Sequence, residues 1–112
     1  MTMPIPMPLP LPAPSTVRLL ILITTLPGRG REQIDAYERL APVVRAEVGC
    51  VRYDMHRVSG DPDRFALIEE WSSRAALAAH DVTPHMIEAD AASPAFRAGP
   101  AEVIELDAAP LA

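Results

Sequence analysis

The sequence predicts an α+β domain of the ferredoxin-like kind, βαββαβ, with an antiparallel sheet. Three observations predict it. Val17 to Thr25 is a short run of Val, Ile, Leu and Thr closed by Pro27-Gly28. From Ile34 onward, apolar residues recur at spacings of three and four. Two further strand-like runs, Cys50 to Val58 and Phe65 to Trp71, are joined by the turn formers Ser59-Gly60-Asp61-Pro62-Asp63 and read as a hairpin. A chain of 112 residues that is 49% hydrophobic suits one core and is too short for a second full domain.

Residues 1–16 carry no charge, and Pro4, Pro6, Pro8, Pro10, Pro12 and Pro14 alternate there with other residues. Each proline fixes its own φ and biases its neighbour away from the helix, so this stretch is expected to be a disordered tail or an apolar arm that packs on a partner subunit. The folded domain is expected over residues 17–107, with 108–112 a loose end. Gly30 opens the first helix, with Ile34, Tyr37, Leu40, Ala41, Val44 and Val48 as its apolar stripe. Arg31, Glu32, Glu38, Arg39, Arg45 and Glu47 fall on the wet side. Pro42 removes a helical hydrogen bond, which predicts a helix in two pieces, and Gly49 is its natural stop.

In the next strand Val51, Tyr53 and Met55 alternate with Arg52, Asp54 and His56. Ser72 or Ser73 caps an alanine-rich helix from Ala75 to Ala79. Thr83-Pro84 restarts a helix that runs toward Asp90 or Ala92, where Ser93-Pro94 breaks it. Ala101 to Leu106 closes the sheet. Helices would cover one face only, and the first strand is apolar on both sides, so a second subunit is expected on the open face, giving a homodimer.

Charge and motif content exclude several function classes. With 15 acidic and 10 basic residues the net charge is −5, which repels nucleic acid and anionic membrane surfaces. All ten basic residues are arginine, so chemistry that needs a lysine is excluded. A lone cysteine, Cys50, offers no internal disulfide and no C-x-x-C pair, and the reducing cytoplasm is the simplest compartment. The apolar run Leu19 to Leu26 is far short of the roughly 20 residues of a membrane span. The stretch before it lacks the charged and helical regions of a signal peptide. Gly28-Arg29-Gly30 lacks the rest of a dinucleotide fingerprint, no P-loop is present, and no serine sits in a G-x-S-x-G elbow. His80 and His85 are five apart with Pro84 between them, so they do not form the pair of a zinc helix. No metal site or nucleotide cofactor is therefore expected.

Three titratable residues stand out. Glu69 alternates with Phe65, Leu67 and Trp71 on one strand face, and a carboxylate in an apolar row needs either a partner or a raised pKa. It is a candidate acid or base, or a structural partner of an arginine or histidine. His80 ends an alanine-rich helix, where it can cap carbonyls or handle protons. His85 follows the proline-started N-terminus, whose dipole favours the neutral imidazole that a base requires.

These residues also carry a family resemblance. Gly49-Cys50-Val51-Arg52-Tyr53, Glu69-Glu70-Trp71 and Ala76-Leu77-Ala78-Ala79-His80 followed by Thr83-Pro84-His85-Met86 resemble, in order and separation, the antibiotic biosynthesis monooxygenase family, and the last segment resembles its quinol monooxygenase branch. The resemblance spans residues 17–107. It implies a dimeric α+β barrel with a cavity between each sheet and its helices. It also implies oxidation of quinols, anthrones or polycyclic phenols by O2, with no cofactor. On this resemblance His80, His85 and Glu69 are the candidate catalytic groups, and Trp71, Tyr53, Met86, Leu67 and Met55 the candidate substrate-binding side chains. Two departures narrow it. The first strand lacks the asparagine of heme-degrading relatives, and Leu67 stands where the polyketide-quinone branch has an asparagine. Two other functions use the same groups: a non-oxidative isomerase or cyclase that works by proton transfer, and a module that binds an aromatic metabolite without turnover.

Overall fold

A computed structural model describes residues 16–112. The expected proline-rich tail falls almost wholly outside the described residues. Strand β1 (Val17–Thr24) leads into helix α1 (Gly30–Arg45), then the hairpin β2 (Cys50–Arg57) and β3 (Arg64–Trp71). Helices α2 (Arg74–Asp81) and α3 (Pro84–Ala92), a 3-10 turn (Ser93–Ala95) and β4 (Glu102–Leu106) complete the domain. The sheet is antiparallel in the order β2-β3-β1-β4, the expected ferredoxin-like topology.

One sheet face holds the core. Val17, Leu19 and Ile23 of β1, Tyr53 of β2, and Phe65, Leu67 and Trp71 of β3 pack against Ala41 and Val44 of α1. On the other face Leu20 pairs with Ile68 on one side and Ile104 on the other, and Leu22 pairs with Ala66. These side chains are only half-buried by this chain.

The structure corrects the sequence reading at four places. Helix α1 is continuous through Pro42. That ring sits on the exposed side, where water can satisfy the carbonyl it leaves unbonded. The helix stops at Arg45 rather than near Gly49, so Val48 leaves the apolar stripe and is 93% exposed. Glu47, expected on the wet side, turns back toward α2 and α3. Val51 is exposed rather than inward, because the register slips by one residue between Cys50 and Arg52.

The hairpin tip locks the start of α1. Arg29, at the N-cap, makes no side-chain cap bond. Asp63 instead accepts hydrogen bonds from the backbone N–H groups of Gly28 (3.0 Å) and Gly30 (3.1 Å) and from the Thr25 hydroxyl (3.2 Å). These donors stabilise the ionised form and lower the Asp63 pKa. Gly30 permits the approach: a Cβ there would lie 2.0 Å from the Pro62 carbonyl oxygen. Gly30→Ala is expected to destabilise the domain by about 2 kcal/mol, as overpacking against backbone does. Urea unfolding checks this through a lower midpoint at unchanged slope.

Candidate active site

Two short helices joined by a proline-started turn bring the two histidines together. Ser73 caps α2, its hydroxyl accepting from the Ala76 N–H at 3.1 Å. Thr83 caps α3, accepting from the Met86 N–H at 3.3 Å while donating to the His80 carbonyl at 2.8 Å. Thr83 thus ties the end of α2 to the start of α3, which sets His80 and His85 side by side.

Glu47 joins them. Its Oε2 lies 2.9 Å from His80 Nδ1 and 2.9 Å from His85 Nε2. Sequence reasoning missed Glu47, which lies in the turn after α1 with its side chain only 13% exposed. On the far side of His80, Nε2 is 3.9 Å from Glu69 Oε1, beyond hydrogen-bond length in the resting geometry. Glu69 accepts from Trp71 Nε1 at 2.9 Å. Burial raises the Glu69 pKa, while the Trp71 hydrogen bond and the nearby His80 pull it down only in part. His80 is 2% exposed, with its ring centroid 4.5 Å from that of Trp71 and 6.1 Å from that of Tyr53. The result is a chain of titratable groups, Glu69, His80, Glu47 and His85, buried at one end and half-exposed at the other.

This chain borders a cavity of about 460 Å³ between the sheet and the helices. Of the sequence-predicted residues, Glu69, His80, His85, Tyr53, Leu67, Met55 and Met86 line it. Trp71 does not. It is fully buried behind His80, so instead of touching a ligand it holds the Glu69 carboxylate and backs the imidazole. Burial and the nearby Glu69 charge push the Tyr53 phenol upward, which keeps it a protonated donor and unfit as a base. Gln33 and Arg97 also line the cavity, and sequence reasoning missed both.

Glu47, His80 and His85 offer three ligand atoms within 4.8 Å of one another. These are residue types that bind zinc, and the fold assembles them from three elements without any helical motif. The same separations suit hydrogen bonds from two imidazoles to one carboxylate. Among the described residues no helix is long and apolar enough to cross a membrane.

A model of the antibiotic biosynthesis monooxygenase family matches residues 16–92. The chain belongs to the antibiotic biosynthesis monooxygenase family. Among curated relatives of this family member, the probable quinol monooxygenase YgiN of Escherichia coli is 36% identical over 74 residues, covering 57% of this chain and 71% of its own length. A Synechocystis protein is 32% identical over 81 residues, 72% of this chain but only 55% of its own length. A crystal structure from Pseudomonas aeruginosa superposes with a TM-score of 0.80 at 29% identity, covering 89% of this chain and 98% of that one. One from Mycobacterium tuberculosis gives 0.77 at 28% identity, covering 88% and 97%. The domain of this family member is therefore of the α+β, ferredoxin-like type shared with these structures.

The raised Glu69 pKa has a signed consequence for stability. Below about pH 4.3, the ordinary glutamate value, Glu69 is protonated in both folded and unfolded chains. As pH rises from there to the folded-state pKa, the unfolded chain ionises first and wild-type stability falls. Glu69→Gln lacks this slope. Denaturant titrations are expected to show the stability difference moving in favour of Glu69→Gln with rising pH; parallel pH profiles would contradict the assignment.

Proposed function

We propose that this protein is a monooxygenase that oxidises an electron-rich quinol, anthrone or polycyclic phenol with O2, using its own acid–base groups and no metal, flavin or other cofactor. The observation that supports this most is the buried relay from Glu69 through His80 to Glu47 and His85, opening onto a largely apolar cavity. Family membership and the YgiN relative's name agree with it.

The chemistry asks little of the protein. His80, held by Glu47, takes the proton from the substrate hydroxyl, and the relay carries the charge toward half-exposed His85. The resulting anion transfers one electron to O2, and the radical pair recombines with a new C–O bond. One oxygen atom stays in the product; the other leaves as water with two hydrogens from the substrate. Tyr53 donates a hydrogen bond, and the Leu67, Met55 and Met86 side chains hold the ring and keep water out.

Oxygen uptake with a reduced naphthoquinol or anthrone is expected to survive chelation and to fall about 100-fold or more in His80→Ala. Loss on chelation with recovery on adding metal would instead assign Glu47, His80 and His85 to a metal. Substrate turnover that persists without oxygen would favour the isomerase or cyclase reading, in which the same relay only moves protons. Binding without turnover under both conditions would favour a binding module.

We also infer a homodimer through the open sheet face. The stripe Leu20, Leu22, Ala66, Ile68 and Ile104 is apolar, and Arg18 at its margin has a buried Nε with no hydrogen-bond partner among the described residues. Leu20→Glu is expected to halve the solution mass measured by light scattering. An unchanged mass would place any subunit contact elsewhere.

A further inference from the structure

Two arginines that make no ion pair among the described residues line the cavity, Arg39 and Arg97, and of the two only Arg97 is half-buried. Arg97 follows the 3-10 turn, and its backbone bridges to Thr25 just beyond β1. Its Nε donates to Gln33 Oε1 at 3.0 Å, and Gln33 is itself buried in the first turns of α1. Among the described residues Arg97 makes no ion pair. Burial penalises its charge, and Asp90 offsets this only in part from an exposed position on the cavity rim. A guanidinium offers five donors in a planar fork, and one is spent on Gln33. Its Nη groups make no hydrogen bond among the described residues, and Arg97 lines the cavity. A half-buried cation of this kind is stabilised by a ligand oxyanion, and the fork geometry favours a carboxylate.

Position along the sheet separates this cation from the acid–base relay. Glu69 pairs with Leu19, and the Arg97 backbone pairs with Thr25, six strand residues further on, so the two backbones stand about 20 Å apart at 3.3 Å per residue. The long Arg97 side chain spans part of that distance, its charge acting on Tyr53, the strand partner of Glu69. The two ends of the cavity therefore offer different chemistry.

We propose that Arg97, oriented by Gln33, is an anion subsite, and that the protein's ligand is an aromatic acid with its hydroxyl toward Glu69 and His80 and its carboxylate on Arg97. The hydroxyl half rests on the proposed phenol chemistry; the carboxylate half does not. Anaerobic calorimetry with 6-hydroxy-2-naphthoate and 2-naphthol separates the two, because it reads binding without oxygenation. The acid is expected to bind the wild-type protein at least about tenfold more tightly than 2-naphthol, equivalent to 1.4 kcal/mol. In Arg97→Gln that preference disappears while 2-naphthol binding is retained. Arg97→Met decides on the same criterion if the first variant does not fold. Equal wild-type affinities, no binding of either compound up to millimolar concentration, or a preference that survives loss of the guanidinium would each overturn the proposal. An absence of oxygen uptake would leave it standing.

Discussion

A carboxylate removed from water sets the terms for the rest of the domain. Glu69 projects from the core face of β3 between Leu67 and Trp71, where an unpartnered charge is costly. The fold meets that cost with one indole donor and one nearby imidazole, and by tilting the carboxyl toward its neutral form. Trp71 is needed at the end of β3 to supply the donor. His80 must be buried opposite, which requires α2 to pack its C-terminal end inward. Glu47 then has to satisfy the other imidazole nitrogen, and His85 shares that oxygen.

Much of this was legible in the sequence wherever local rules govern. The strand periods, the turn formers between β2 and β3, and the Ser73 and Thr83 caps each depend on a few neighbouring residues. Apart from Val51 in β2, they appear in the structure where their patterns put them. Glu69 stood out because one residue broke an apolar alternation. The two histidines stood out through their helix ends and a resemblance.

What escaped depends on three-dimensional closure. Extending α1 to Gly49 put Glu47 on its wet side. The helix ends at Arg45, and the following turn swings Glu47 inward. No local pattern singles out Gln33 or Arg97, because the bond between them joins positions 64 residues apart. Trp71 at a strand end is more often core than a ligand platform, and the position of His80 in front of it decides for core. A one-residue slip in β2 leaves no mark on alternation, so Val51 looked inward.

That slip bears on how chains of this protein meet. β2 is an outer strand of the sheet, and its unpaired backbone edge is a template on which a foreign strand can add. The extra residue between Cys50 and Arg52 distorts the start of that template, and the charged side chains of Arg52, Asp54 and Arg57 flank what remains. At the opposite border β4 is only five residues long. Both borders thus resist strand addition, and the apolar surface of the sheet is left as the side on which the proposed dimer would form. In the proposed dimer, controlled pairing and runaway fibre growth would thus fall to different parts of the same sheet.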